Sequence, residues 1–132
     1  MDTKELPAKP DAIAPDGCDV RILLGIPGAS FAHFELAPGQ TSVAVVHRTV
    51  DEIWYFLGGR GEMWRKVEED ETVVEVAARV CITIPVGTEF QFRSLGNQPL
   101  SAIAVTVPPW PGKGEARRVS GIWDSTVEPG PT

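Results

Sequence analysis

Ser42-Val43-Ala44-Val45-Val46-His47-Arg48 and Glu52-Ile53-Trp54-Tyr55-Phe56-Leu57 lie on either side of Thr49-Val50-Asp51, and Gly58-Gly59-Arg60-Gly61 follows them. Both runs are short, rich in Val, Ile and aromatic residues, and closed by turn formers. That is the pattern of strands rather than of helices. Side chains alternate along a strand. With His47 pointing inward, Val43, Val45 and Thr49 share its face. With Glu52 inward, Trp54 and Phe56 point inward too, and Ile53, Tyr55 and Leu57 form the opposite face.

The same grammar extends in both directions. Further strands are expected at Val20–Leu24, Phe31–Leu36, Glu62–Lys66, Thr72–Val76, Val80–Ile84, Glu89–Arg93 and Leu100–Val107. Turn residues separate them: Ala37-Pro38-Gly39, the acidic Glu68-Glu69-Asp70-Glu71, Pro85-Val86-Gly87 and Leu95-Gly96-Asn97-Gln98-Pro99. The thirteen glycines and twelve prolines are spread as punctuation, and no long stretch repeats apolar residues at helical spacing. Short strands at regular intervals predict an all-β sandwich or barrel. Residues 1–17, with Pro7, Pro10, Pro15 and Gly17, read as an irregular arm, and 18–107 as the barrel. Residues 108–132, opening on Pro108-Pro109-Trp110-Pro111-Gly112, read as a strap within the same single domain. A short helical turn is expected around Glu115–Val119, with Trp110 and Trp123 anchoring the strap.

A chain of 132 residues is one domain's worth and can bury a core of its own. Its net charge of −6, without a Lys/Arg cluster, argues against nucleic acid as a partner. No apolar stretch approaches the roughly 18 residues of a membrane span. No apolar leader follows Met1-Asp2-Thr3-Lys4, and Cys18 and Cys81 make no disulfide framework, so a reducing cytoplasm is expected. Cys81, between Val80 and Ile82, reads as a small buried residue. Two histidines, His33 and His47, are too few for a three-His site.

The stretch from Gly39 to Gly59 resembles the first motif of the cupins, G-x5-H-x-H-x(3,4)-E-x6-G. His47 is matched to the first His, Thr49 to the second and Glu52 to the Glu. This leaves the gap from Gly39 to His47 two residues longer than the pattern. Pro85-Val86-Gly87-Thr88-Glu89-Phe90, with Ser94, is similar to the second motif, G-x5-P-x-G-x2-H-x3-N, with Phe90 in place of the His and Ser94 of the Asn. The resemblance covers about residues 30–107. It implies a cupin-like double-stranded β-helix, a jelly-roll barrel of two antiparallel sheets, often dimeric, with a pocket inside. The usual cupin metal site takes three His and one Glu. Thr is a poor ligand for Zn, Fe or Ni and Phe is none, so no metal cofactor is expected at this four-ligand site.

His47 and Glu52 are therefore the candidate catalytic pair, suited to isomerase- or lyase-type proton transfer on a small organic ligand. Thr49, Trp54, Phe56, Phe90 and Phe92 are the candidate ligand-binding wall. Two alternatives stand beside this reading. If the His33 face lined the pocket, His33, His47 and Glu52 would make a two-His, one-carboxylate set for a divalent metal such as the iron of a dioxygenase. The simpler placement of His33 is toward solvent beside Glu35. Otherwise the barrel is a non-catalytic ligand sensor or structural dimer. A homodimer is expected because Ile53, Tyr55 and Leu57 make the outer face of their strand apolar.

Overall fold

The computed structural model describes residues 1–131. Eleven strands run in the order β1 (Ala12–Ile13), β2 (Asp19–Ile26), β3 (Ala29–Leu36), β4 (Val45–His47), β5 (Asp51–Gly58), β6 (Arg60–Val67), β7 (Asp70–Ala77), β8 (Cys81–Ile84), β9 (Glu89–Leu95), β10 (Leu100–Val107) and β11 (Ala116–Arg118). Among the described residues there is no helix. The strands form a six-stranded sheet, β1-β2-β3-β10-β5-β8, and a five-stranded sheet, β11-β4-β9-β6-β7, with every pairing antiparallel. This is the two-sheet jelly roll that the resemblance implied.

The alternation predicted for β5 is borne out. Glu52, Trp54 and Phe56 are buried while Asp51, Ile53, Tyr55 and Leu57 are exposed. β8 and β10 alternate in the same way, and their inward residues join those of β6 and β9 in one core. Trp54 holds it together. Its ring stacks on Phe34 at 4.9 Å and meets the edges of Phe92 at 5.3 Å and Phe90 at 6.0 Å. Such aromatic pairs add stabilisation beyond their area burial.

Four local expectations give way. The strand expected over Ser42–Arg48 shortens to Val45–His47, because Ser42 and Val43 hydrogen-bond across to other partners. Ser42 N–H donates to the Phe92 carbonyl and Val43 N–H to that of Asp16. Residues 115–119 form no helical turn. Ala116–Arg118 instead add to the open edge of β4, where Ala116 pairs with His47 and Arg118 with Val45. The arm is not wholly irregular, since Ala12–Ile13 pair with Asp19 and Val20. Cys81 is exposed, because β8 turns Ile82 and Ile84 inward, while Cys18 is buried.

The β5–β6 turn narrows to Gly59, with φ +74°, where a Cβ would collide with the Pro99 carbonyl. The strap lies over the five-stranded sheet. Gln91 clamps it: its Nε2 donates to the carbonyls of Ser42 and Trp123, and its Oε1 accepts from the N–H groups of Ile122 and Trp123. The Arg93 guanidinium sits 4.3 Å over Trp123 while paired with Glu62.

Candidate functional site

His47 ends β4 and Glu52 is the second residue of β5, so the intervening turn brings both into the same end of the barrel. They are only 6% and 4% exposed. A carboxylate in such surroundings needs donors. Glu52 has two: Trp54 Nε1–H donates to Oε1 at 3.0 Å, and Thr106, its cross-strand neighbour on β10, donates to Oε2 at 2.5 Å. His47 Nδ1 lies 3.7 Å from Glu52 Oε1, within ion-pair range but too far for a hydrogen bond, and is buried without a hydrogen-bond partner. The imidazole is held edge-on by Phe90 at 5.2 Å and by Trp110 of the strap at 5.1 Å.

Two further carboxylates shape this end, and neither was singled out in the sequence. Asp16 is buried. Burial raises its carboxyl above the ordinary range, outweighing the hydrogen bonds from Cys18 and the charge of His47. The same burial, with Asp16 beside it, pushes the Cys18 thiol well up. Glu115 is buried beneath the β4–β5 turn. Burial would raise its carboxyl, but the Thr49 hydroxyl, the Thr49 and Val50 N–H groups and the charge of His47 prevail and hold it below the ordinary range. An acidic residue three positions beyond Gly112 gives no sequence signal for this role.

Thr49 is thus not part of the interior. β4 ends at His47, the alternation stops there, and Thr49 is exposed and bonded to Glu115. Trp54, Phe56, Phe90 and Phe92 do point inward, but as fully packed core rather than as walls of an open pocket. His33 faces outward with Glu35, as the simpler placement had it, yet it is buried rather than solvent-facing. Its cross-strand neighbour Arg21 lies beside it, and the Arg21 guanidinium is tied to the carbonyls of Pro7 and Ala8 in the arm. Burial and Arg21 lower its basicity. His33 therefore lies on the outer face of the six-stranded sheet, while Glu52 of that sheet and His47 of the five-stranded sheet face the barrel interior. The two-His, one-carboxylate set therefore does not assemble.

Two cavities stand out. One, about 670 Å³, lies over the five-stranded sheet beside the strap, between Trp64, Lys66, Glu71, Glu89, Arg117 and Arg118. The other, about 240 Å³, lies at the barrel end between Arg65, Lys66, Asp70, Thr72, Pro85 and Thr88. Neither is lined by His47 or Glu52, but the smaller one is close to them. Gly87 N–H donates to the His47 carbonyl, and Glu52 is the cross-strand partner of Ile84.

The Cupin domain profile matches residues 32–106, more than half of the chain. The chain belongs to the cupin family. A comparison with curated proteins finds no match. Among solved structures, this cupin is similar to a Bacillus halodurans protein, with a TM-score of 0.65 and 23% identity over 80% of this chain and 79% of that one. It is similar to a predicted oxalate decarboxylase from Thermotoga maritima, with a TM-score of 0.65 and 20% identity over 80% and 99%. It is also similar to an uncharacterised Klebsiella pneumoniae protein with a double-stranded β-helix domain, with a TM-score of 0.62 and 15% identity over 90% and 91%. At these identities the likeness is one of fold.

The fold also corrects the register of the first motif. Taken with four residues before the Glu, the pattern runs Gly39, five residues, Val45, one residue, His47, four residues, Glu52, six residues, Gly59, and the surplus of two disappears. His47 then takes the second His position and Val45 the first. Val45 is buried two residues before His47 on β4, directly across from Phe90 on β9. The positions that lack a ligand are therefore Val45 and Phe90, not Thr49 and Phe90. The second motif fits as well: Arg79, six residues before Pro85 where the pattern has Gly, adopts φ +81°. An aliphatic and an aromatic side chain offer a metal nothing. Among the described residues no three His, Cys, Asp or Glu side chains come together as a metal-holding group. The residues present do not fit the family's metal.

Proposed function

We propose that this cupin binds a small organic molecule at the His47–Glu52 end of the barrel and moves a proton on it without using the family's four-ligand metal site. The unpartnered His47 Nδ1 beside a twice hydrogen-bonded Glu52 carries this reading. Trp54 and Thr106 fix the carboxylate. The carboxylate lies 3.7 Å from the imidazole, and imidazole is the commonest proton carrier near neutral pH. Aromatic rings surround the pair, and Trp110 of the strap packs against the imidazole. Proton abstraction next to a carbonyl, as in isomerase or lyase chemistry, suits such a pair. Two unpaired cysteines suit a reducing, cytoplasmic setting. The exposed Phe31, Ile53, Tyr55 and Leu57 on one sheet face suit a homodimer.

The test is deuterium wash-in. Small carbonyl compounds are incubated with the protein in D2O and followed by NMR. Wild type should exchange the proton next to the carbonyl, and His47→Ala should slow this by about 100-fold or more. Glu52→Gln should slow it less, since it disorients the base without removing it. Equal exchange by wild type and His47→Ala would overturn the reading. No exchange by wild type would leave the second reading, a filled structural or sensing barrel, which the dense packing of Trp54, Phe56, Phe90 and Phe92 favours.

A further inference from the structure

The smaller cavity is lined by two polar groups without partners, on Arg65 and Thr88. Arg65 lies on β6 with the parity of the core residue Met63, and its half-buried side chain lines the cavity. Its Nη1 donates to the Thr83 carbonyl at 2.8 Å, which fixes the plane of the guanidinium. Its Nε is buried with no acceptor, and among the described residues no carboxylate lies within 4.0 Å of it. Thr88 is 2% exposed, and its hydroxyl is likewise buried without a partner. Buried polar groups are ordinarily satisfied, so two orphans lining one cavity need an explanation. The exposed Asp70 and Lys66 at the rim offset one another in charge. The cavity volume of about 240 Å³ is below the usual range for drug-sized ligands.

We propose that Arg65 and Thr88 form the recognition site for the carboxylate of a small organic acid. With Nη1 engaged by Thr83, the remaining edge of the guanidinium is Nε and Nη2, two parallel donors that match the two oxygens of a planar carboxylate. The Thr88 hydroxyl supplies a further donor. A tetrahedral oxyanion would leave oxygens unmatched in a site so poor in donors. Burial also lowers the Arg65 basicity, consistent with a guanidinium taken out of water ahead of its ligand. Thr88 follows Gly87, which is hydrogen-bonded to the backbone of His47. An acid held here would therefore lie next to the backbone that carries His47. In this respect the proposal names the substrate class of the site proposed above, but binding itself does not rest on proton transfer.

The experiment is an NMR titration of the full chain at constant ionic strength. It follows the Arg65 Nε–H and Thr88 amide signals with malonate as the probe and inorganic phosphate as the comparison. Malonate should give saturable shifts at both signals. Arg65→Met and Arg65→Lys should each weaken binding at least about tenfold, the latter because a point charge does not replace the fork, and Thr88→Val about fivefold. Saturable malonate binding by a wild type that shows no deuterium exchange would leave this site standing while the proton-transfer reading fails, so the two are separable. Absence of saturation, equal affinity in folded Arg65→Lys and Thr88→Val, or tighter binding of phosphate than of malonate would each overturn it. Should Arg65→Met fail to fold, the Lys and Val variants carry the decision.

Discussion

The corrected register of the first motif has a direct consequence for metal binding. Val45→His together with Phe90→His should place three imidazoles and the Glu52 carboxylate around one point, since Val45 and Phe90 face each other across β4 and β9 and His47 is two residues along. Both positions are 1% exposed, so the changes carry a cost. Overpacking at Val45 costs about 1–3 kcal/mol. Removing the Phe90 ring costs up to about 3–5 kcal/mol, the figure for truncation to Ala. Against a typical stability of about 5–15 kcal/mol, the metal-free double variant should be weakly folded. Metal at a hundredfold excess over its dissociation constant should return about 2.7 kcal/mol. For a chain of this size that is a rise in Tm of about 10 °C. The assay is metal content after dialysis, together with melting curves with and without added zinc or manganese. Thr49→His with Phe90→His is the control, because Thr49 is exposed and turned toward Glu115. If the control retains metal and the Val45 pair does not, the register argued here is refuted.

Three more expectations follow from buried carboxylates and an exposed sheet face. Glu115→Ala should cost about 1–3 kcal/mol in chemical denaturation, because Val50 N–H is left buried without its acceptor. The wild-type contribution from Glu115 should fade as pH falls below 4.5, since its folded carboxyl titrates lower than that. Asp16→Asn should raise stability at pH 7 while preserving an acceptor for the Cys18 N–H. The folded Asp16 carboxyl is raised above 3.8, so its ionisation penalises the fold only as pH rises past that value, and the gain should vanish in more acid solution. A gain of equal size at all pH values would contradict the assigned cause. Sedimentation equilibrium should show a dimer, and Leu57→Glu on the exposed face of β5 should shift it to a folded monomer; a monomeric wild type would refute this.

The strands were legible because their alternation is strong, and β5 shows this best. Trp54 and Phe56 inward, Tyr55 and Leu57 outward, follow from sequence parity alone. β11 was not legible. Ala116-Arg117-Arg118 has no strand propensity worth the name and becomes a strand because β4 offers it an unpaired edge. The site was half legible for a related reason. His47 and Glu52 stand out as polar residues in apolar runs, but parity was extended past the end of β4, which placed Thr49 inside. Only the hydrogen bonds of Thr49 and Val50 to Glu115, sixty-six and sixty-five residues away, show where the strand stops. Arg65 is not legible as more than a strand residue, because nothing in Met63-Trp64-Arg65-Lys66 says that its Nε will be buried without an acceptor.

Glu52 also bears on why this barrel end is built as it is. In a four-ligand cupin site a cation would offset the carboxylate's charge. Here Val45 and Phe90 take two ligand positions, and the carboxylate is met instead by the Trp54 indole N–H and the Thr106 hydroxyl. That would suffice for an inert core. His47 breaks the economy, because its Nδ1 is buried, unpaired and 3.7 Å from the oxygen that Trp54 already occupies. A partly satisfied polar cluster is worse for stability than either a complete one or none, and replacing a buried ion pair by apolar residues is often neutral or stabilising. Stability alone therefore gives no reason for an imidazole at this position. The proposed ligand and proton transfer would supply that reason, and the neighbouring cavity, with its own two orphaned groups Arg65 Nε and Thr88 Oγ1, lies at the same end of the molecule.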